Sequence, residues 1–170
     1  MKAELISIGD EILIGQIINT NSVFLAKALN KIGIEIVQIT SVSDEKEAII
    51  NALDSSYSRA QLVIMTGGLG PTHDDVTKQA LSDLFKSKFK FLEDRHIKIS
   101  KKFNKADLPK CQSKILDIAT PLDNDVGTAL GMHFKYKNTE LVILPGVPIE
   151  MNSMLDLYLN EKKSLKIIDN

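Results

Sequence analysis

The sequence predicts an α/β fold with a mostly parallel sheet between two layers of helices. Residues 3–8, 34–40 and 61–65 are short apolar segments with the length of buried strands, and the second is rich in β-branched residues. Amphipathic helical patterns separate these segments, and such strand–helix alternation is typical of βαβ units. The chain has 170 residues, of which 44% are hydrophobic, which suits one domain with a packed core.

The first half of the chain carries recognisable helix boundaries. Residues 20–22, Thr-Asn-Ser, are N-cap candidates for a helix that Gly33 ends. Asp44 and Glu47 have the spacing of a capping box, which predicts that a second helix begins there. A third amphipathic helix is expected directly after the glycine-rich loop at residues 66–72.

The second half of the chain predicts a hairpin and two further helices. Apolar residues at helical spacing indicate one helix within residues 92–103. Residues 130–136 and 140–144 flank a short polar turn, which predicts an antiparallel hairpin. Pro148 suits the first turn of a last helix. We expect a single domain over residues 1–160, with a polar tail at 161–170.

Composition excludes several classes of protein. The formal net charge is −1, whereas a dedicated nucleic-acid-binding domain usually has a basic excess. No uninterrupted apolar run is long enough to span a bilayer. Cys111 is the single cysteine, so an intrachain disulfide is impossible, which fits a cytoplasmic protein.

The glycine-rich loop at residues 66–72 is the most informative motif. Gly67, Gly68 and Gly70 follow a strand and precede a helix, where backbone N–H groups and the helix dipole favour a phosphate. A P-loop is excluded because Pro-Thr follows Gly70 where Lys-Ser/Thr is required. The dinucleotide fingerprint is excluded because His73 stands where its third glycine would be. A tight turn without a ligand remains an alternative.

Carboxylates follow several of the predicted strands. Asp74 and Asp75 come directly after the glycine loop, where they would either neutralise a helix N-terminus or hold a divalent cation against ligand phosphates. Asp44 follows the second strand, and Asp10 and Glu11 follow the first. Because parallel strands end at the same edge of a sheet, these side chains are expected in one crevice.

Five stretches of the chain resemble the amino-terminal domain of the CinA (competence/damage-inducible) proteins, within the molybdopterin-binding, MoaB/MogA-like superfamily. The resemblance covers residues 1–158. The stretches are Gly9-Asp10-Glu11-Ile12-Leu13-Ile14-Gly15-Gln16, Asn19-Thr20-Asn21, Thr66-Gly67-Gly68-Leu69-Gly70-Pro71-Thr72-His73-Asp74-Asp75-Val76-Thr77, Val126-Gly127-Thr128-Ala129 and Leu144-Pro145-Gly146-Val147-Pro148-Ile149-Glu150-Met151.

This resemblance implies a three-layer α/β/α fold, self-association into a homo-oligomer and a ligand at the carboxyl edge of the sheet. In the CinA branch it implies metal-dependent hydrolysis of ADP-ribose at its pyrophosphate, with Mg²⁺ as the expected cation. In the molybdopterin branch it implies adenylyl transfer to a pterin phosphate. Full-length CinA proteins carry a further carboxy-terminal deamidase domain, which we do not expect in this chain. A non-catalytic binding module is a third alternative.

The resemblance also implies roles for individual residues. Asp44 and Asp75 are the expected catalytic residues, and Asp44, Asp74 and Asp75 are the expected metal ligands. The expected ligand-binding residues are Asp10, Glu11, Asn19, Thr66, Gly67, Gly68, Gly70, Thr72, Gly146 and Pro148. The chain departs from the family pattern at Asp125, where the family usually has proline after asparagine, and at Val147, where it usually has proline.

Overall fold

A six-stranded sheet forms the centre of the molecule, with helices on both of its faces. The computed structural model describes residues 1–70 and 76–168, and the side chains of that part up to residue 162. Its elements are β1 (Lys2–Ile8), α1 (Asp10–Leu13), α2 (Thr20–Asn30), β2 (Glu35–Val42), α3 (Lys46–Ser56), β3 (Leu62–Thr66), α4 (Val76–Phe85), β4 (Phe89–Phe91), α5 (Glu93–Lys102), a 3₁₀ helix (Lys110–Ser113), β5 (Lys114–Leu116), β6 (Thr120–Leu122), β7 (Gly131–Tyr136), β8 (Thr139–Leu144) and α6 (Pro148–Ile168).

The sheet has the strand order β2-β1-β3-β8-β7-β6, and it confirms the predicted mostly parallel topology. The first four strands of that order pair in parallel. The last two pairs, β8 with β7 and β7 with β6, are antiparallel, and β7 and β8 form the predicted hairpin. Since β1, β2, β3 and β8 all run in one direction, the loops that follow them meet at one edge of the sheet.

The two faces of the sheet bury separate apolar clusters. On β1, Leu5 packs towards α2 and α6, whereas Ile6 packs towards α3 and α4. This division follows from the alternation of side chains along a strand. It explains why β1, β3 and β8 read as nearly continuous apolar runs, because a strand covered on both sides exposes neither face to water.

Two local predictions are wrong in an instructive way. The N-cap of α2 is Asn19, whose side chain accepts a hydrogen bond from the Ser22 N–H at 3.1 Å, so the cap precedes the predicted residues 20–22. The capping box at Asp44 and Glu47 does not form, since α3 begins at Lys46 with Glu45 as an N-cap that makes no side-chain cap bond.

The last helix is longer than the predicted pattern. It continues to Ile168, through the first eight residues of the predicted polar tail at 161–170. Lys162 contributes to its attachment, because its ammonium lies 2.5 Å from the Glu140 carboxylate of β8. Burial would raise the pKa of Glu140, but hydrogen bonds from His133 and Lys162 outweigh burial and lower that pKa to about 2. Burial, followed by the adjacent Glu140 charge, raises the pKa of Tyr158.

A small second sheet lies beside the main one. It pairs β4 with β5 in antiparallel fashion, and neither strand was predicted from the sequence. Among the described residues, no helix is both long enough and apolar enough to cross a membrane.

Candidate functional site

A cavity of about 560 Å³ lies at the edge of the sheet where the parallel strands end. This volume falls within the range of small-molecule sites in proteins, roughly 300–1,000 Å³. Its walls come from the loops after β1, β2, β3 and β8, together with residues between the 3₁₀ helix and β7 and the start of α6. The lining residues are Ile8, Gly9, Glu11, Asp44, Gly67, Gly68, Leu69, Gly70, Gln112, Thr128, Ala129, Pro145, Gly146, Val147, Pro148 and Glu150.

The described part of the glycine loop, residues 66–70, contributes Gly67 to Gly70 to one wall of this cavity and packs closely against its neighbours. Gly67 has φ +106°, and a Cβ there would lie 2.2 Å from the Ile8 carbonyl oxygen. Gly68 has φ +65°, and its Cβ would lie 2.0 Å from the Thr77 hydroxyl. The Thr77 hydroxyl donates to the Gly67 carbonyl at 3.1 Å, which ties the loop to α4. A side chain at Gly68 would therefore collide with α4, rather than project towards a ligand.

The loop after β8 lies against the glycine loop on its other side. The Gly67 N–H donates to the Leu144 carbonyl at 3.2 Å. A Cβ at Gly146 would lie 3.4 Å from the Gly67 Cα, so the two loops meet through their backbones. The Asn21 side chain of α2 donates to the Gly146 carbonyl at 2.8 Å. Gly146 and Pro148, which the sequence predicted as ligand-binding residues, both line the cavity.

The exits of β1 and β2 are joined by a reciprocal pair of hydrogen bonds. The Asp10 N–H donates to Asp44 Oδ2 at 3.0 Å, and the Asp44 N–H donates to Asp10 Oδ1 at 3.2 Å. This pairing replaces the predicted capping role of Asp44 and fixes its carboxylate at the cavity. Asp44 and Glu11 both line the cavity. Asp10 is not among the lining residues, but its hydrogen bonds hold Asp44 in place.

A smaller cavity of about 90 Å³ adjoins the first and shares Ile8, Glu11, Gly146 and Pro148 with it. Asn19 and Thr66 line this smaller cavity and not the larger one. Asn19 is committed to structure, because it caps α2 and its amide donates to the buried Ser7 hydroxyl at 3.0 Å. The predicted ligand-binding residue Asn19 thus lies beside the smaller cavity, where its side chain also supports the fold.

Gln112 supports the glycine loop through a hydrogen bond to the Leu69 carbonyl, a role that was not predicted from the sequence. Its side chain is buried, with Nε2 donating to the Leu69 carbonyl at 3.3 Å and Oε1 accepting from the Thr128 hydroxyl at 2.9 Å. Its backbone carbonyl also accepts from the Leu130 N–H at 3.1 Å. Gln112 thus joins the glycine loop to the segment that leads into β7.

Glu150 adds a carboxylate that the sequence analysis did not place in the site. Asn124, which is buried, donates to Glu150 Oε2 at 2.5 Å and to the Ala129 carbonyl at 3.0 Å. The Gly127 N–H donates to Asn124 Oδ1 at 2.8 Å. A Cβ at Gly127 would lie 2.1 Å from the Glu150 carboxyl carbon, so this glycine leaves room for the carboxylate. The only sequence signal was that Gly127 and Glu150 both fell within stretches of family resemblance.

Three predicted site residues, Thr72, Asp74 and Asp75, lie outside the described residues. Within the described part, no group of three or more His, Cys, Asp or Glu side chains is arranged to hold a metal ion. The described lining of the main cavity contains three acidic side chains, Glu11, Asp44 and Glu150, and no basic one.

Comparison with known proteins identifies the family. Residues 4–164 match the family model described as "Probable molybdopterin binding domain". The chain belongs to the molybdopterin-binding domain family. Relatives within it include a CinA-like protein of Chloroherpeton thalassium, 42% identical over 164 residues, and a CinA-like protein of Flavobacterium psychrophilum, 40% identical over 162 residues. These alignments cover 91% and 92% of this chain, but 39% of the length of each relative.

Solved structures place this member of the molybdopterin-binding family near CinA and MoaB. The protein CinA of Thermoplasma acidophilum is 33% identical with a TM-score of 0.86, and the match covers 94% of this chain and 96% of that one. MoaB of Thermus thermophilus, described as a molybdopterin biosynthesis enzyme, has a TM-score of 0.65 at 18% identity, covering 94% of this chain and 89% of that one. At that identity the MoaB match shows a shared fold and nothing more.

Proposed function

We propose that this chain hydrolyses ADP-ribose, or a similar nucleotide-like pyrophosphate, with the help of a divalent cation. The observation that carries the proposal is that the glycine loop, Asp44 and Glu11 line one cavity of about 560 Å³. Backbone N–H groups at the start of a helix suit a phosphate, and the cavity volume suits a nucleotide-sized ligand. In the reaction, a water oxygen bonds to one phosphorus while the P–O–P bridge breaks, which releases AMP and ribose 5-phosphate.

The charge of the cavity is the argument for a cation. A pyrophosphate is anionic, yet the described lining carries three carboxylates and no lysine, arginine or histidine. Mg²⁺ is commonly held by one or two carboxylates together with substrate phosphates, and Asp44 and Glu11 would meet that requirement. Asp74 and Asp75, adjacent in sequence to the loop, are the further ligands that we propose. When bound, the cation would neutralise the negative charge that develops on the phosphoryl oxygens.

The remaining residues of this site would bind and orient the ligand. Gly67, Gly68 and Gly70 allow the backbone to approach the phosphates, and Gln112 holds the loop in place through the Leu69 carbonyl. Such fixed backbone donors stabilise a phosphoryl-transfer transition state because they need no reorganisation during the reaction. We propose Asp75 with Asp44 as the residues that orient the attacking water.

A molybdopterin-binding role is the second candidate, and the description of the matching family favours it. In that case the cavity would hold the phosphate of a pterin, and hydrolysis of ADP-ribose would be absent. A purely binding role would likewise retain ligand affinity without turnover.

The decisive experiment is hydrolysis of ADP-ribose by the purified chain, with and without Mg²⁺, followed by chromatography of AMP and ribose 5-phosphate. We expect release of both products only when Mg²⁺ is present. The Asp75→Ala variant should lose most of this turnover while it stays folded. Tight binding of ADP-ribose without product release would favour a binding module, and preference for a pterin phosphate would favour the molybdopterin candidate.

A further inference from the structure

We propose that Glu150 is a specificity-determining residue, whose carboxylate accepts hydrogen bonds from the hydroxyl groups of a ribose at one end of the ligand. This inference rests on the proposed function and names the part of the substrate that the wall formed by α6 recognises. The observation behind it is a carboxylate that lines the cavity and accepts a hydrogen bond from Asn124, whose own amide oxygen is held by the Gly127 N–H.

The carboxylate of Glu150 is held by the Asn124 side chain, whose amide group makes hydrogen bonds through its nitrogen and its oxygen. The Asn124 amide nitrogen uses both of its donors, one to Glu150 Oε2 and one to the Ala129 carbonyl. Its amide oxygen accepts from the backbone N–H groups of Val126 and Gly127, at 3.2 and 2.8 Å. Because every hydrogen-bonding group of this amide is occupied, Asn124 has little freedom to turn away from Glu150.

The position of Glu150 along the sheet separates it from the carboxylate pair. Asp44 follows β2, whereas α6 follows β8, and the two exits lie three strand spacings apart in the sheet order. With strands about 4.8 Å apart, this separation is about 14 Å. The glycine loop follows β3 and lies between them. If the phosphates of a ligand lie on the glycine loop, the sugar attached to one end of those phosphates can therefore reach Glu150.

The chemistry of this end of the cavity selects hydrogen-bond donors. The side chains of Gln112 and Thr128 are hydrogen-bonded to each other. Among the described lining residues, Glu150 is the charged side chain on this wall. An ionised carboxylate only accepts hydrogen bonds, and its charge repels a phosphate. In the described part of the chain, the hydrogen bond recorded for the Glu150 carboxylate is made by Oε2. Oε1 and the second lone pair of Oε2 are the acceptors that ligand hydroxyls would use.

The test compares ligands with and without those hydroxyls. Isothermal titration calorimetry would measure binding of ADP-ribose, of its analogue lacking the 2′- and 3′-hydroxyls of both riboses, and of inorganic pyrophosphate. We expect the unmodified chain to prefer ADP-ribose over the deoxygenated analogue by about 10- to 100-fold, the range for hydrogen bonds to a charged group. In Glu150→Gln this preference should fall below about 3-fold.

Pyrophosphate binding provides the control for folding and for the phosphate cradle. It should be at least as tight in Glu150→Gln as in the unmodified chain, since pyrophosphate has no sugar and the variant removes a negative charge from the lining of the cavity. Glu161→Gln, on an exposed position of the same helix, is the matched control and should retain the full preference. A Glu150→Gln variant that still prefers ADP-ribose would overturn the inference. So would a Glu150-dependent affinity for a pterin with no effect on ADP-ribose.

The readout is independent of turnover. If the ribose preference is lost in Glu150→Gln but the unmodified chain does not hydrolyse ADP-ribose, the proposed hydrolase activity is refuted and the proposed contact between Glu150 and the sugar is supported. Hydrolysis with an unchanged ribose preference in the variant would refute the sugar contact and keep the hydrolase.

Discussion

Replacing Gly68 by alanine isolates the cost of the contact between the glycine loop and α4. The new Cβ would meet the Thr77 hydroxyl at 2.0 Å and the Thr77 Cβ at 3.0 Å, on a backbone with φ +65°. Gly33 provides a matched control, because it has φ +79° and nothing within 4 Å of the position of its Cβ. The Gly33→Ala variant therefore reports backbone strain alone, whereas Gly68→Ala reports strain and collision together.

The magnitudes of the two effects are separable. Placing an L-residue in the left-handed region costs about 1–2 kcal/mol, which is the full expected effect of Gly33→Ala. Relief of the 2.0 Å contact at Gly68 requires Thr77 or the loop to move by more than 1 Å. Such overpacking typically costs a further 1–3 kcal/mol, so Gly68→Ala should lower the free energy of unfolding by about 2–5 kcal/mol.

Urea unfolding at 25 °C measures these differences, provided that the dependence on denaturant concentration is the same in all variants. The double variant Gly68→Ala with Thr77→Ala removes the nearest clashing atom. Its total cost should therefore be smaller than the sum of the single variants by about 1 kcal/mol or more, as coupled neighbours show. If Gly68→Ala is no more destabilising than Gly33→Ala, the close packing of the loop on α4 is refuted.

Three further perturbations test other parts of the structure. Asp44→Asn keeps an acceptor for the Asp10 N–H but removes the negative charge. It should lower the rate of Mg²⁺-dependent ADP-ribose hydrolysis about 100-fold or more, whereas Glu47→Gln, at an exposed position, should leave that rate unchanged. Equal rates in the two variants would remove Asp44 from the mechanism. Gln112→Leu leaves the buried Leu69 carbonyl without its hydrogen-bond donor. It should lower the free energy of unfolding, measured in urea, by about 1–3 kcal/mol, and should weaken pyrophosphate binding measured by calorimetry. Unchanged binding would show that the glycine loop holds its shape without Gln112. The lowered pKa of Glu140 means that its carboxylate stabilises the fold fully above its ordinary value of 4.5, and that this contribution is lost as the pH falls towards 2. The difference in unfolding free energy between the unmodified chain and Glu140→Gln should therefore shrink over that interval, and a constant difference would contradict the assignment.

The parallel core of the fold was predictable because its signals are local and strong. Strands such as β1 and β3 are covered on both faces, so all of their residues except Lys2 are buried. The hairpin of β7 and β8 was predictable from its short polar turn. The second sheet was not, because β4 and β5 have three residues each, too few to establish a period, and the β4 strand is exposed.

The site was predictable where a residue type has one dominant use. Three glycines between a strand and a helix indicated close backbone approach, and the structure gives the reason at Gly67 and Gly68 in contacts with β1 and α4. The role of Asp44 was not predictable, because its spacing from Glu47 matches a local capping box. A contact with Asp10, 34 positions earlier in the chain, takes its place. Gln112 and Asn124 were missed for the same reason, since their partners are set by tertiary packing.

The walls of the cavity are drawn from distant parts of the chain, from Ile8 to Glu150. No short segment contains the site, so it exists only while the whole sheet is assembled. Any ligand that occupies it must bind the native state in preference to the unfolded chain, and must therefore raise the stability of the entire domain. At a free concentration 100 times its dissociation constant, this stabilisation is about 2.7 kcal/mol. A rise in melting temperature can thus identify ligands from a library of nucleotides and pterins before any reaction is known.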